Sequence, residues 1–355
     1  MINIEILHAA IWQQLQDRRR QLPHALLLTG HAGIGKFDLA RLFVAGLLCE
    51  SPHSNGTACG VCQACHWLSQ GNHPDFRMLI PEHLQKILGS PVTEDEVKES
   101  GAEKTEKKAS QQITIEQIRA LDGFLSVGTH RQGLRVILVY PAEAMNRNTA
   151  NAILKSLEEP PPSTLFLLVS SDGNTLLPTI RSRCQTLHVP MPEHAQAVSF
   201  VTRVGGVSEK LASASLSLSG GAPLLAVDLA QHLEGSWRQG LFNELAKGGQ
   251  IDVFAVAADL DKAFRETKEA AALRQTVDWV QKWVLDLSLA CQQTPANYFT
   301  GQQETLNQLK KSLSLAKLVS FYRLVLLPLR KSSEHPVNTR LFLESLLAQY
   351  RALFA

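Results

Sequence analysis

The 355-residue sequence has no long apolar run, no marked excess of charge of either sign and no internal repeat. Apolar stretches such as Leu324-Val325-Leu326-Leu327 fall far short of the roughly 20 residues that a membrane-crossing helix needs. The N-terminus lacks a basic segment followed by an apolar one, so no secretory leader and a cytoplasmic location are expected. Lys and Arg number 35 against 33 Asp and Glu, and the resulting charge of +2 gives the whole chain no drive toward nucleic acid. There are only six cysteines, and four of them lie between Cys49 and Cys65. In a reducing compartment such clustering favours a metal site.

Apolar residues make up 45% and charged residues 19%, the balance of a globular chain. The length suggests two or three domains. Strand signals are confined to the first half. Buried strands are expected at His24 to Thr29, Asp75 to Ile80, Val136 to Val139 and Leu165 to Val169, with a short one at Gln185 to Val189. Helices alternate with them. Ile4, Leu7, Ile11 and Leu15 space one amphipathic helix from Ile4 to Arg20, whose Arg18-Arg19-Arg20 end is expected to be solvated. Thr114 and Gln117 fit the cap of a helix running to Val127, and Asn146 to Glu158 forms another before Pro160-Pro161-Pro162 stops it. Alternation of this kind predicts an α/β domain with a mostly parallel sheet over residues 1–189. The polar stretch 81–112 is expected to be a flexible insertion.

After Pro190-Met191-Pro192 no strand signal remains. Residues 190–232 predict a small helical domain broken at Gly220-Gly221-Ala222-Pro223. Residues 233–355 predict an all-α domain, with Leu273, Val277, Val280, Val284 and Leu287, then Leu306, Leu309, Leu313, Leu318 and Phe321, then Leu341, Leu343, Leu346 and Leu347 on its buried faces.

Gly30-His31-Ala32-Gly33-Ile34-Gly35-Lys36 lies between the first strand and a helix, the context of a phosphate-binding loop. Gly30, Gly33 and Gly35 let backbone N–H groups turn toward phosphate oxygens, and Lys36 would reach the terminal phosphates. The next position requires a hydroxyl for magnesium, and here it is Phe37. The strand Val136 to Val139 should end in acids that hold the ion and prepare water. It ends in Tyr140-Pro141, and Glu143 lies beyond it. With both ligands absent, magnesium-dependent hydrolysis is not expected, and the loop is left as a structural turn or a weak ATP site.

Cys59, Cys62 and Cys65 stand at steps of three, and Cys49 ends the first long helix. Four thiolates suit a closed tetrahedral site, hence structural zinc within a module at 49–66, with Asn55, Gly56 and Gly60 supplying its turns. His53 and His66 are alternative ligands, and Cys184 and Cys291 are expected to be unpaired.

Arg183 lies at the edge of the α/β domain. An arginine so placed either makes a surface ion pair or serves a neighbour's active site as a finger. Asn151-Ala152-Ile153-Leu154-Lys155-Ser156-Leu157-Glu158-Glu159-Pro160-Pro161 resembles the N-A-L-L-K-x-L-E-E-P-P signature of clamp-loader AAA+ proteins, and Ser182-Arg183-Cys184 resembles their S-R-C motif. The resemblance is strongest between Leu26 and Cys184 and implies a P-loop AAA+ domain, a helical lid and a helical collar that pentamerises. It also implies a four-cysteine zinc module after the first helix. Active relatives carry an arginine in the lid's G-x-x-R; here Gly221-Ala222-Pro223 is followed by Leu224.

By this resemblance the chain is a non-hydrolysing, stator-like subunit of a bacterial clamp loader within DNA polymerase III holoenzyme, a DNA-directed DNA polymerase. Arg183 would be the finger given to a neighbouring subunit. The implied partners are gamma/tau-type ATPase subunits and a delta subunit, with the sliding clamp and primed DNA reached through the complex and no membrane. Two other readings remain open: an active P-loop ATPase that uses Glu143 or another acid for magnesium, and a zinc-dependent DNA-binding module with a degenerate ATPase domain.

Overall fold

Leu26, Leu27 and Leu28 are enclosed on both faces of a sheet, which is why the strand reads as an unbroken apolar run. The computed structural model describes residues 4–88, 110–126, 129, 133–233, 236–267, 272–333 and 337–355. These divide into two units, 1–193 and 194–355.

In the first unit, β1 (Ala25–Thr29) is followed by α3 (Lys36–Leu48), after α1 (Ile4–Leu7) and α2 (Ala9–Arg18). The chain continues through α4 (Gln63–Ser69), β2 (Phe76–Leu79), α5 (Glu82–Leu88), α6 (Ile115–Ser126) and β3 (Arg135–Val139). It closes with α7 (Arg147–Glu158), β4 (Thr164–Val169), α8 (Pro178–Arg181) and β5 (Gln185–His188). Among the described residues the sheet has five strands in the order β2-β3-β4-β1-β5, every pairing parallel. Leu27 lies opposite both Leu168 and Thr186, and Ile137 opposite Phe166. The predicted α/β architecture with a parallel sheet is the one observed.

The edges differ from expectation. Only Leu79 of β2 and only Leu187 of β5 are buried, because each strand has a single neighbour. The expected single N-terminal helix is two, broken at His8. That ring turns inward, and its Nε2–H donates to the Ile34 carbonyl oxygen at 2.6 Å. Ile4, Leu7, Ile11 and Leu15 are buried as their spacing predicts, and Trp12 joins them. Arg19 is not left to solvent: Nη2 donates to the Gly46 carbonyl oxygen at 2.7 Å, at the negative end of α3.

Part of the expected flexible insertion 81–112 is the helix α5; residues 89–109 lie outside the described residues. Its two described ends are joined, since Glu82 Oε2 accepts the Ser110 N–H at 2.8 Å. Thr114 and Gln117 form a reciprocal cap on α6, each side chain accepting from the other's backbone N–H at 3.4 and 3.0 Å. Asn146 Oδ1 caps α7 by accepting from Thr149 N–H at 3.0 Å.

The described residues of the second unit hold helices and no strand. α9 (His194–Gly205), α10 (Glu209–Leu218) and α11 (Pro223–His232) pack on one another. α12 (Trp237–Leu245), α13 (Val253–Thr267), α14 (Ala272–Cys291), α15 (Gln303–Leu309), α16 (Leu315–Phe321), α17 (Leu327–Ser332) and α18 (Thr339–Arg351) share one apolar core. Trp283 lies at its centre and donates its Nε1–H to Tyr350 Oη at 2.8 Å, which in turn donates to the Leu245 carbonyl oxygen at 2.8 Å. Asp286, fully buried, caps the loop at 297–299 by accepting three backbone N–H groups. Leu273, Leu309 and Leu313 are only partly buried, and Leu341 is 64% exposed; Phe342 takes the inward position in the first turn of α18. Among the described residues no single helix is long and apolar enough to cross a membrane.

Candidate functional site

The glycine loop connects the C-terminal end of β1 to α3. Gly30, Gly33 and Gly35 all have positive φ, at 147°, 75° and 93°. At Gly30 the requirement is also steric, since a Cβ there would lie 2.3 Å from the Val189 carbonyl oxygen at the end of β5. The His8 ring holds the loop at Ile34. Burial pushes His8 below its ordinary pKa, so the ring is neutral and its Nε2 carries the proton given to that carbonyl.

Lys36, the residue that would reach phosphates, is only 4% exposed, and its Nζ donates to the carbonyl oxygen of His31 in its own loop. Burial lowers its pKa to about 8, an effect that the negative charge of Glu143 partly offsets. The amine thus lies folded against the loop in which it stands.

The two places where magnesium ligands are expected hold aromatic rings, and these rings meet. Phe37 and Tyr140 stack with centroids 4.2 Å apart and planes 23° from parallel. Phe37 is buried, and the Arg41 guanidinium lies 5.8 Å from its ring centre. Burial, followed by the carboxylates of Asp38 and Glu143, holds the Tyr140 phenol above its ordinary pKa. Glu143 sits on a 3₁₀ turn, Ala142–Ala144, and its Oε1 accepts the Ser171 N–H at 3.0 Å, joining the ends of β3 and β4. An open polar cleft of about 400 Å³ lies on the β5 side of the loop, with Thr29, His31, Asn174, Arg181 and His188 in its wall; neither Phe37 nor Tyr140 borders it.

Arg183 stands just past α8, its side chain 33% exposed. Nη2 pairs with Glu158 Oε1 at 2.5 Å, and Nη1 donates to the Thr179 carbonyl oxygen at 2.9 Å and to Ser182 Oγ at 3.3 Å. In the isolated chain it therefore makes an ion pair together with two hydrogen bonds from Nη1.

Cys49, Cys59, Cys62 and Cys65 come together with all four sulfurs within 4.8 Å of one another. The Cys49–Cys62 and Cys59–Cys65 separations are 3.9 and 4.0 Å. A zinc tetrahedron with bonds of about 2.3 Å has edges of about 3.8 Å, so the four thiols can hold that ion. Cys49 Sγ accepts the Cys59 N–H at 3.2 Å and Cys62 Sγ the Cys65 N–H at 3.4 Å, contacts that favour thiolates. Gly56 and Gly60 take positive φ in the intervening turns. His53 and His66 are exposed and do not join the group. Cys184 and Cys291 are free thiols.

Two residues with a part in this geometry had no role in the sequence reading. His8 sits in an ordinary amphipathic pattern, and nothing in that pattern marks a contact 26 residues away. Glu158 was visible within the run Asn151 to Pro161, but its partner Arg183 lies on a later element.

A parallel sheet in which β4 lies between the loop strand β1 and the strand β3, with a glycine loop into α3 and Ser182-Arg183-Cys184 beyond β4, defines an AAA+ P-loop protein of the clamp-loader kind. A family model described as "DNA polymerase III, delta subunit" matches residues 7–193. The DNA polymerase III subunit delta′ of Pseudomonas aeruginosa is 34% identical over 369 aligned positions, covering 99% of each chain. The chain belongs to the DNA polymerase III delta′ subunit family. The Escherichia coli subunit delta′ is 30% identical over 63% of this chain and 59% of that protein. Escherichia coli subunit tau is 31% identical over 48% of this chain and 22% of its own length. A solved gamma subunit-related protein from Thermotoga maritima covers 96% of this chain and all of its own at 17% identity and a TM-score of 0.48, a likeness too low to add to the assignment.

Proposed function

We propose that this chain is a cytoplasmic clamp-loader subunit that does not hydrolyse ATP and that contributes Arg183 to the ATP site of a neighbouring gamma/tau-type subunit. In this reading it assembles with those subunits and a delta subunit to place the sliding clamp on primed DNA. The observation that carries the first half is the Phe37–Tyr140 stack. Metal and its oxygen ligands stabilise most of the charge that develops in phosphoryl transfer. Phe37 offers no oxygen, and the Tyr140 phenol is held above its ordinary pKa by burial and so stays neutral. Glu143 lies beyond the strand end, with Oε1 engaged by Ser171 N–H and Oε2 buried without a partner among the described residues.

The second half rests on Arg183. A guanidinium can meet charge growing on a transferred phosphoryl group, and such fingers contribute about 10³ to 10⁵ in rate. Arg183 is one-third exposed at the end of α8 while the chain's own loop is stripped of metal ligands, which fits service to another subunit's site. Zinc at Cys49, Cys59, Cys62 and Cys65 is structural in this account, because the four thiols leave no open ligand position. The experiment is an ATPase assay of the chain alone and then mixed with its partner subunits. No magnesium-dependent turnover alone, and turnover in the mixture that falls with Arg183→Ala, is the expected result.

A further inference from the structure

Glu158 ends α7, and Glu159 follows it, so two acids stand where the helix carbonyls already create negative potential. On local grounds an acid is unfavourable there. Lys155 shares the last turn, yet the ion pair that Glu158 makes is with Arg183, across to the segment after α8. The contact therefore links two elements, and it engages the residue proposed as the finger.

A guanidinium carries five N–H donors in one rigid plane. In Arg183, Nη1 donates to the Thr179 carbonyl oxygen and Ser182 Oγ, and Nη2 forms an ion pair with Glu158. The backbone and hydroxyl contacts come from Arg183's own turn and would hold only one end of the group. Glu158 supplies the charged contact at the other end.

We infer that Glu158 is a positioning residue for Arg183, its ion pair holding the guanidinium in place for a phosphoryl group in a neighbouring subunit. The inference rests on the finger reading of Arg183. A half-exposed pair is a modest constraint, so loss of Glu158 has a small effect beside loss of the arginine itself, about two- to fivefold on kcat.

The test is steady-state ATP hydrolysis by the complex reconstituted with its ATP-hydrolysing subunits. It carries Glu158→Ala, Glu158→Gln, Arg183→Ala or the double variant Glu158→Ala/Arg183→Ala. Glu158→Ala should lower kcat about two- to fivefold with the KM for ATP unchanged. Glu158→Gln, which keeps the side-chain length and an acceptor oxygen beside Nη2 without the charge, should recover part of that loss. In the Arg183→Ala background Glu158→Ala should do nothing further, since the residue acts only through the arginine. An unchanged or raised kcat in Glu158→Ala, or the same fractional loss in both backgrounds, overturns the inference. If Glu158→Ala does not assemble, Glu158→Gln against Glu158→Gln/Arg183→Ala decides by the same comparison. An Arg183→Ala complex with full turnover overturns the finger reading and this inference with it, whereas a loss in Arg183→Ala with none in Glu158→Ala overturns this inference alone.

Discussion

Phe37, in the first turn of α3, and Tyr140, just past the end of β3, stack with ring centres 4.2 Å apart. Either substitution alone would remove one magnesium ligand. On the proposed function, the two together replace a metal-binding corner with a ring stack that adds packing to the domain. A double-mutant cycle on Phe37→Ala and Tyr140→Ala, followed by denaturant unfolding, should give a coupling of about 1 kcal/mol. Phe37→Ala alone should destabilise by about 3 kcal/mol, because the ring is buried. Strict additivity would show that the stack contributes nothing.

Lys36 should titrate near pH 8, far below an ordinary lysine, because burial disfavours its charge. A base whose pKa is lowered by folding binds its proton less readily when folded. Its contribution therefore opposes folding below about pH 8 and is relieved as the pH rises from there toward the ordinary lysine value. Lysine side-chain NMR across this range should show one resonance moving near pH 8 and missing from Lys36→Met, and that variant should lose the matching rise in stability with pH. A Lys36 signal that titrates with the exposed lysines would contradict the buried geometry.

The four-thiol group predicts one zinc per chain by elemental analysis. Cys59→Ser should lower that content, and chelation should both release four reactive thiols and lower the melting temperature. A metal-free chain with four reactive thiols and unchanged melting would remove zinc from the account.

In the helical unit, Tyr350 accepts from Trp283 and donates to Leu245 within the core. Tyr350→Phe should destabilise by about 1 to 3 kcal/mol, since it leaves a buried indole N–H and a buried carbonyl without their partner. Thermal unfolding measures this, and a change near zero would mean that other groups take over both bonds.

The sheet was legible because β1, β3 and β4 are enclosed on both faces and so carry unbroken apolar runs. The edge strands were blurred by their mixed burial, and the helix break at His8 was invisible because its cause is a hydrogen bond to a loop 26 residues on. The cysteine spacing brought together the four residues that the fold brings together. The loss of both magnesium ligands could be read from Phe37 and Tyr140 one at a time, but their contact could not, because 103 positions separate them. The exposed Leu341 shows the limit of a helical repeat: a stripe predicts a buried face, and the packing of neighbouring helices selects Phe342 to fill it.

The most direct measurement of the central claim is magnesium-dependent ATP hydrolysis by this chain alone and by the complex containing either Arg183 or the Arg183→Ala variant. The account predicts no turnover alone, and in the complex a loss of turnover at the neighbouring site with assembly intact. Turnover by the isolated chain that disappears in Lys36→Ala, or a complex indifferent to Arg183→Ala, would contradict it.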